Sequence, residues 1–371
     1  MAYGPLVLGH SPVAVLEAVH KQLDAGLGFG ASHRWEAEAA EAVCRTVPSA
    51  ELVVFSSSGS EAVQTALRIA RAATGRPRVV KCLGHYHGWN DNIHVGVPGQ
   101  AEARPGTTGQ VPTAPESLTV IPWNDAGALE AALGDDVAAV IMEPVAVNGA
   151  CLTPSPGFLQ EAQRLTRATG AVLIFDEVIT GYRVALGGAQ ERLGVTPDLT
   201  VLGKALAAGF PISAVCGSAE VMDVIASGRL LHMGTFNGNP ICACAAATAV
   251  GELERRSDEA YPQLEAMGAE LATLFREEAA DAGLPLVVNQ FGAAAHAFVS
   301  DRQINTYADA LASDPGAYRS FAGELLARGV HVTPKGLLYV SIAHEQADLD
   351  RTREAVGEAA RAVAQEVMAT G

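Results

Sequence analysis

Short apolar runs alternate with helical patterns through the middle of this chain, and that alternation restricts its fold more than any other feature. Most of the runs are continuously apolar, which is typical of strands buried on both faces of a sheet. Helical patterns such as residues 61–73 and 158–169 lie between them. We therefore predict an α/β fold in which helices wrap a mostly parallel, seven-stranded sheet. The runs are residues 52–55, 79–82, 118–122, 137–142, 172–175, 199–202 and 212–216.

After about residue 240 the pattern changes, and it predicts a smaller α+β domain packed on the first. An Ala-rich helical region is followed by strand-like segments, and a further helix, strand and helix complete the chain. Earlier in the chain, the Gly- and Pro-rich stretch at residues 96–115 is predicted to be a long loop, a type of segment that is often functional. The C-terminal elements are predicted at residues 241–283, 286–288, 294–299, 317–328 and 337–342, and the last helix begins at Asp348.

Composition excludes several classes of protein. With 371 residues, of which 49% are hydrophobic, the chain can bury a large core and is not a disordered segment. Its 41 acidic and 25 basic side chains give a net charge of −16, which argues against nucleic acid or an anionic membrane as main partner. The six cysteines form no C-x-x-C pair, and the N-terminus lacks the layout of a secretory signal. We therefore expect a reducing, cytoplasmic setting.

Small polar residues at positions 56–61 follow the first predicted strand and open a helix. Ser58 and Glu61 have the spacing of a capping box, and Gly75 is placed to end the helix. Taken alone, an ordinary capped helix is the simpler interpretation of this pattern. The alternative is a phosphate cradle, because small residues let backbone N–H groups approach an anion and the helix dipole favours negative charge there.

Two further strand ends carry charged residues. Asp176 and Glu177 follow the run at residues 172–175, and ligands of open α/β sheets bind beyond the carboxyl ends of strands. Lys204 follows the run at residues 199–202, where a lowered pKa would make it a Schiff-base nucleophile. A turn cap for Asp176 and a solvated position for Lys204 are the alternatives, and composition does not decide between them.

Residues 84–89 are rich in aromatic and histidine side chains. His85 and His87 stand two apart without a matching Cys, His or Glu motif, so zinc is the weaker interpretation and we predict no metal site. Tyr86, with glycines close by, is better suited to stack on a flat ligand. The chain contains no G-x-x-x-x-G-K-[ST], H-E-x-x-H or G-x-S-x-G motif, so a P-loop enzyme, a zincin and an α/β-hydrolase lose their usual sequence support.

Taken together, these segments resemble the class III aminotransferases of fold type I, especially the branch that includes glutamate-1-semialdehyde 2,1-aminomutase. The matching stretches occur in the family's order along nearly the whole chain, as far as residues 342–344. The interval of 28 residues between Asp176 and Lys204 (204 − 176) also suits the family. The stretches are residues 58–62, 86–88, 143–148, 175–183, 197–204 and 234–240.

The resemblance implies pyridoxal 5′-phosphate as the cofactor. It implies that Lys204 carries the cofactor as a Schiff base and acts as general base, and that Asp176 pairs with the protonated ring nitrogen. It also implies that the backbone and hydroxyl groups of Ser58, Gly59 and Ser60 hold the phosphate.

Five other residues match the family's cofactor site. Tyr86 is implied to stack on the ring as a catalytic residue, and Val178 to pack against the ring's other face. His87 lies in the same motif as Tyr86, and Asn148 matches a residue near the ring oxygen. Thr235 matches the residue that reaches the phosphate from the neighbouring subunit, so the resemblance implies a homodimer with shared active sites.

The substrate-binding residues are less well marked than the cofactor site. Arg34 and Lys335 are candidates for a substrate carboxylate, since Arg gives a bidentate clamp and Lys a point charge. A solvated surface charge is the simpler interpretation of both. Glu143, in the matching stretch at residues 143–148, is a further candidate.

The resemblance also divides the chain into parts. Residues 36–248 are predicted to form the large cofactor-binding domain, and residues 249–371 the C-terminal small domain. Residues 1–35 are predicted to be an N-terminal part of the small domain. In the family a segment like the first ten residues lies some way inside the protein, so we expect this part to be truncated.

The sequence therefore predicts an aminotransferase that moves an amino group from an amino acid or amino-bearing metabolite to a keto or aldehyde acceptor. The nearest alternative is an aminomutase of the glutamate-1-semialdehyde type, which moves the amino group within one molecule. A racemase or epimerase on the same scaffold comes next. A non-catalytic binding protein with a relic site is the alternative from another class. A requirement for a separate acceptor separates the aminotransferase from the mutase and the racemase.

Overall fold

Strands and helices alternate along the first two thirds of the chain, as the apolar runs predict. The computed structural model describes residues 1–111 and 114–370. Within those residues the helices are α1 Val13–Ala25, α2 Arg34–Thr46, α3 Gly59–Thr74, α4 Ala126–Ala132, α5 Phe158–Thr169, α6 Gly188–Leu193, α7 Ala219–Ala226, α8 Pro240–Arg255, α9 Ser257–Asp281, α10 Tyr307–Leu311, α11 Pro315–Ala327 and α12 Gln346–Thr370. The strands are β1 Leu52–Ser56, β2 Arg78–Cys82, β3 Leu118–Ile121, β4 Val137–Met142, β5 Val172–Asp176, β6 Leu199–Leu202, β7 Ser213–Gly217, β8 Leu286–Phe291, β9 Ala294–Val299 and β10 Leu337–Tyr339.

The first seven strands of the described chain form one sheet in the order β1-β7-β6-β5-β4-β2-β3. Strand β7 runs antiparallel to both of its neighbours, and all other pairs are parallel. The remaining six strands therefore point in one direction, and their carboxyl ends share one edge of the sheet. The mostly parallel, seven-stranded sheet predicted from the apolar runs is confirmed.

Helices cover both faces of this sheet because the strands are apolar on both sides. Helices α3 and α7 pack on one face, and α4 and α5 on the other. Helix α3 begins at Ser58, whose hydroxyl accepts a hydrogen bond from the backbone N–H of Glu61, and ends at Gly75 in the left-handed conformation. The cap and stop residues predicted from the sequence therefore set the bounds of the helix that follows β1.

The C-terminal part contains a second, antiparallel sheet in the order β10-β9-β8, with α9, α11 and α12 packed near it. The single helical region predicted at residues 241–283 is instead two helices, α8 and α9, which meet at Arg256. The strand predicted at residues 337–342 is shorter than expected, since β10 spans only Leu337–Tyr339. The predicted domain boundaries after residues 35 and 248 fall inside α2 and α8, and the division into domains stays a prediction.

The predicted long loop at residues 96–115 starts earlier than expected. From residue 83 to residue 111 the described chain contains no helix or strand, and residues 112–113 lie outside the described part. Tyr307 of α10 holds this loop: its hydroxyl donates toward the carbonyls of Val97 and Gln100 and accepts the N–H of Gly99 at 2.8 Å. Within the described residues, none of the helices combines the length and apolar character that crossing a bilayer requires.

Candidate active site

The predicted functional residues meet at the shared carboxyl edge of the large sheet. Ser58 lies just beyond β1, and His87 lies in the loop after β2. Glu143 follows β4 immediately, and Asp176 is the last residue of β5. Lys204 lies two residues after β6. In open α/β sheets this edge is where ligands bind, because the strand-to-helix loops and helix N-termini converge there. The topology therefore collects residues that are up to 146 positions apart (204 − 58) in one place.

A cavity of about 290 Å³ opens at this edge. Its size lies near the lower end of the roughly 300–1,000 Å³ of small-molecule sites. The predicted site residues that line it are Ser58, Gly59, Ser60, Tyr86, Glu143, Asn148, Asp176, Val178 and Lys204. Phe210, Pro211 and Ile212 form part of the wall and were missed by the sequence analysis, although they follow Lys204 closely in the chain.

The N-terminus of α3 forms one end of the cavity and is suited to an anion. The first amides of a helix have no acceptor within the helix, and Gly59 and Ser60 occupy this first turn. Gly88 of the loop after β2 packs directly on Ser60, because a Cβ on Gly88 would lie 2.5 Å from the Ser60 hydroxyl oxygen. Asn90 ties the same loop to the helix by donating to the Ser60 carbonyl at 2.8 Å.

Asp176 is a buried carboxylate without a charged partner. Its Oδ1 accepts the N–H of Val178 at 3.1 Å, and its Oδ2 accepts Nδ1–H of His87 at 2.8 Å. Burial lowers the pKa of His87 well below its usual range, so this ring is neutral. No lysine or arginine in the described chain lies within ion-pair distance of Asp176. Burial raises the pKa of Asp176 to about 6.

Glu143 is the second buried carboxylate of the cavity. It accepts hydrogen bonds from the N–H of Tyr86 at 2.9 Å and from the backbone and side-chain amides of Asn148 at 3.2 and 3.1 Å. Burial, and to a lesser degree the charge of Asp176, raise the pKa of Glu143 to about 7. Glu143 therefore connects the loop after β2 to the loop after β4, and it titrates near neutral pH.

Lys204 carries the amine of the cavity. Burial lowers its pKa, and the negative charge of Asp176 opposes that shift. Its backbone φ is +45°, in the left-handed region that non-glycine residues enter at a cost of roughly 1–3 kcal/mol. The Lys204 alkyl chain also packs near Gly4 of the N-terminal segment, where a Cβ would lie 3.5 Å from Cδ. Both the charge state and the direction of this side chain are set by its surroundings.

Val178 and Tyr86 bound the cavity from two sides. The methyl groups of Val178 lie 3.4 Å from where a Cβ would stand on either Gly59 or Gly203, so this side chain fills the space between the loops after β1 and β6. Tyr86 remains 40% exposed, and its ring meets that of His94 edge-on at 6.0 Å. A flat ring held between Val178 and Tyr86 would touch apolar surface on both faces.

Three of the predicted residues lie away from the cavity. Arg34 is on the surface at the start of α2, where it pairs with Glu38 at 2.6 Å. Lys335 is exposed in the loop before β10, and Thr235 is exposed between α7 and α8. None of Arg34, Lys335 and Thr235 lines the cavity within this chain.

Two fully buried cations near the site were also missed. Lys81 lies in β2, and Arg183 follows the Asp176 segment, where its guanidinium donates to the carbonyls of Ile179 and Gly4 and stacks over Tyr339 at 4.9 Å. The sequence does indicate that Lys81 is buried, because this charged residue lies inside an apolar run that is predicted to be buried on both faces of the sheet. For Arg183, which contacts the chain's first residues, no local pattern marks burial.

The residues present fit pyridoxal 5′-phosphate. The helix N-terminus with Gly59 suits a phosphate, and the space between Val178 and Tyr86 suits a flat ring. The unpaired buried carboxylate of Asp176 suits a cationic ring nitrogen, and Lys204 supplies an amine. Fold and site together define a fold type I enzyme that uses pyridoxal 5′-phosphate.

Comparison with known proteins identifies the family. Residues 1–344 match the family model described as aminotransferase class-III, and the chain belongs to this family. A curated relative, glutamate-1-semialdehyde 2,1-aminomutase of Acidobacterium capsulatum, is 41% identical over 367 residues, which cover 96% of this chain and 85% of the relative. The cofactor of this chain is thus pyridoxal 5′-phosphate, and the predicted family, fold type and cofactor are confirmed.

Solved structures agree with this assignment. An omega-transaminase from Sphaerobacter thermophilus superimposes with a TM-score of 0.89 at 35% identity, covering 98% of this chain and 86% of that one. A transaminase solved with PLP bound gives a TM-score of 0.89 at 31% identity, covering 97% and 85%. These two solved structures are named as transaminases, whereas the curated relative is named as an aminomutase.

Proposed function

We propose that this chain is an aminomutase of the glutamate-1-semialdehyde type, which moves an amino group between neighbouring carbons of one substrate through Lys204. The geometric observation that supports amino-transfer chemistry is the desolvated Lys204 amine in a cavity shared with Asp176 and the N-terminus of α3. The 41% identity to a glutamate-1-semialdehyde 2,1-aminomutase over nearly the whole chain supports the intramolecular version of that chemistry.

The roles of the residues follow from their surroundings. When bound, pyridoxal 5′-phosphate supplies an aldehyde that captures amines and a ring that withdraws electrons from the captured group. Lys204 Nζ removes the proton from the carbon that bears the amino group and returns it to another carbon, and its lowered pKa keeps the free amine available as a base. The charge of Asp176 would favour a proton on the ring nitrogen. Ser58, Gly59 and Ser60 would hold the phosphate, while Tyr86 and Val178 would contact the ring.

An aminotransferase that works between two molecules is the second candidate. It is favoured by the likeness to the omega-transaminase. The cavity wall does not separate the two candidates: no arginine side chain in the described chain lines the cavity to clamp a carboxylate, and amino acid and keto acid substrates carry this group in either reaction. The two candidates share every residue role given above and differ in whether the substrate is retained between the two half-reactions.

We also propose a homodimer, because an exposed apolar face flanks the site. Leu231, Met233 and Phe236 are 69%, 81% and 69% exposed. Leu27 and Phe29 lie close to them, since Asn239 donates to the Leu27 carbonyl at 3.0 Å. A patch of this kind, formed by large apolar side chains from two segments, marks an interaction surface. Thr235 lies within it, so a second copy of the chain would bring Thr235 to the neighbouring phosphate site.

All six cysteines are unpaired, in agreement with the reducing, cytoplasmic setting that is part of this proposal.

One experiment separates the two reactions. Purified holoenzyme is incubated with glutamate-1-semialdehyde alone. Because substrate and product are isomers of the same mass, formation of 5-amino-4-oxopentanoate is followed by chromatographic separation coupled to mass spectrometry. A parallel sample receives a panel of amino donors with and without a keto acid. We expect the isomer to form without an added acceptor. Turnover that occurs only with both a donor and an acceptor would assign the aminotransferase instead.

The Lys204→Ala variant is the control for both reactions. It removes the amine and leaves the phosphate site intact, so we expect the cofactor to bind without a covalent link and turnover to be lost. Intact-mass measurement after borohydride reduction reports the covalent link. A Lys204→Ala variant that turns over at the wild-type rate would remove Lys204 from the role of base.

A further inference from the structure

Lys81 is a buried cation that the chemistry described above does not use. It lies in β2, and its side chain is 0% exposed. A lysine is almost never buried in this way unless its ammonium group is fully hydrogen-bonded, because desolvating the charge is costly. The contacts of Lys81 are therefore informative about why the fold keeps it.

The ammonium group donates to the backbone and not to an acidic side chain. Nζ lies 2.9 Å from the His85 carbonyl oxygen, 2.8 Å from that of Val95 and 3.5 Å from that of Ile93. These carbonyls come from both ends of residues 83–95, a stretch without helix or strand. The Lys81 ammonium group thus binds carbonyls from both ends of the loop at residues 83–95 and holds them against strand β2.

That loop carries the aromatic half of the cofactor site. The His85 carbonyl, which Lys81 holds, precedes Tyr86 directly. His87, one residue later, donates to Asp176, and Gly88 packs on Ser60 at the phosphate end. Because these contacts lie within a few residues of a fixed carbonyl, movement of that carbonyl would displace each of them.

The ammonium group of Lys81 is also affected by the ionisable groups around it. Burial lowers its pKa to about 8, and Cys82, Glu143 and Asp176, in decreasing order, oppose that shift electrostatically. The ammonium group is therefore mostly protonated at pH 7. It is a buried positive charge that faces the two buried carboxylates without an ion pair to either in the described chain.

We propose that Lys81 is a positioning residue, whose ammonium group fixes the loop at residues 83–95 so that Tyr86 and His87 meet the cofactor. The inference rests on the cofactor site described above. It does not depend on whether the reaction is intramolecular or needs an acceptor, because its readouts are loop order and cofactor affinity.

The test compares the Lys81→Met variant with the wild-type protein. Hydrogen–deuterium exchange is measured on both holoenzymes, and the affinity for the cofactor is measured for both proteins. Methionine keeps the length and apolar stem of the side chain and leaves the three carbonyls without their donor. We expect exchange at residues 83–95 to be faster by about tenfold or more, and pyridoxal 5′-phosphate to bind about tenfold more weakly. Exchange in α9 and α12, which are remote from the loop, should stay within about twofold of wild type.

Arg78→Met is the matched control. Arg78 lies in the same strand and also carries a cation, but it pairs with Asp136 at 2.6 Å and donates to Thr119, away from the loop. We expect wild-type loop exchange and cofactor affinity in this variant. If Lys81→Met does not fold, the test is made with Lys81→Gln. The glutamine amide keeps N–H donors, but they reach less far than the lysine ammonium group. We therefore expect the exchange rate at residues 83–95 to lie between those of wild type and a variant without a donor.

Two results would overturn the proposal. One is wild-type exchange at residues 83–95 together with wild-type cofactor affinity in the folded Lys81 variant. The other is faster exchange by the same factor along the whole chain, which would make Lys81 an ordinary stabilising residue. Failure of the semialdehyde assay alone would affect only the proposed reaction, because neither readout of Lys81 requires turnover.

Discussion

Two carboxyl groups and one amine share the cavity, and burial moves the pKa values of these three groups toward neutrality. Burial raises the pKa of Asp176 to about 6 and that of Glu143 to about 7, and it lowers that of Lys204. Acid–base catalysis is most effective when the pKa of the group lies near the working pH. Such a cluster is therefore typical of a catalytic centre, and the three groups must be considered together because they face one another.

The cofactor should stabilise the protein more as the pH rises toward the pKa of Asp176. The folded-state pKa of about 6 lies above the ordinary 3.8, so ionising Asp176 without a cationic partner costs stability between these two pH values. A cationic ring nitrogen removes that cost. We expect the increase in melting temperature caused by pyridoxal 5′-phosphate to grow from about pH 4 to about pH 6 and to level off above that.

Asp176→Asn isolates the contribution of this carboxyl group. The phosphate group of the cofactor titrates in the same range, so part of the pH dependence persists in any variant. We expect the Asp176→Asn variant to lose the part of the pH dependence that the phosphate group does not cause, and to bind the cofactor more weakly. An unchanged pH profile, measured by differential scanning fluorimetry with and without cofactor, would show that Asp176 does not pair with the ring.

At the scale of elements, the site depends on close contact between the loop after β2 and the first turn of α3. Gly88 makes this contact, since a Cβ there would lie 2.5 Å from the hydroxyl oxygen and 2.9 Å from Cα of Ser60. Its φ is +87°, which also favours glycine. The two elements approach so closely that only a residue without a side chain fits between them.

Gly88→Ala should therefore weaken phosphate binding beyond its cost in backbone strain. Gly99→Ala is the matched control, since Gly99 has a similar φ of +91° and a Cβ there would meet nothing within 4 Å. We expect both variants to lose about 1 kcal/mol of unfolding free energy from the positive φ. We expect only Gly88→Ala to bind the cofactor about tenfold more weakly. Urea titration and fluorescence titration measure the two effects, and equal cofactor affinities would contradict the packing argument.

Much of the element order follows from the sequence, because buried parallel strands need continuous apolar runs. Each of the seven predicted runs corresponds to one of the strands β1 to β7. The order of the strands and the reversal of β7 are set by long-range pairing, which no run of residues specifies. The break at Arg256 between α8 and α9 was also missed, because Ala-rich helical patterns continue across it.

Only those site residues that lie in a local sequence motif could be predicted. Ser58, Asp176 and Lys204 stand at strand or helix ends, where a sequence pattern marks them. Arg183 has a partner at the far end of the chain, Gly4, and Lys81 donates to carbonyls of the irregular loop that follows its strand, so neither contact is specified by a local pattern. The substrate candidates Arg34 and Lys335 had no such local support, and neither lies in the cavity of this chain.

On the scale of the whole molecule, one large hydrophobic cluster joins the two sheets. It includes residues of α1, α2 and α8 as well as α9, α12 and the strands β8 and β9. The N-terminal segment takes part, since the Val7 carbonyl accepts the N–H of Ile342 at 3.0 Å. Helices α9 and α12 and strands β8 and β9 are thereby packed in one continuous core with α1, α2 and α8.

The dimer is tested by placing a charge on the exposed apolar face. Phe236→Asp buries a carboxylate in the proposed interface, and we expect a monomer by sedimentation, together with weaker cofactor binding because the neighbouring Thr235 is lost. Leu326→Asp is the matched control, since Leu326 is 58% exposed on α11 and lies outside this face. It should leave the protein dimeric. A wild-type protein that sediments as a monomer would contradict the proposed assembly.

The backbone conformation of Lys204 has a consequence for the evolution and engineering of this fold. Its left-handed φ and its desolvated amine both oppose folding, and the negative charge of Asp176 offsets only part of the desolvation. Selection for thermostability alone would therefore favour loss of this lysine, and libraries screened only for heat resistance should accumulate inactive members with glycine at that position. Screens of this scaffold need a selection for turnover in every round, because a residue with a strained backbone is also the one that we propose performs the chemistry.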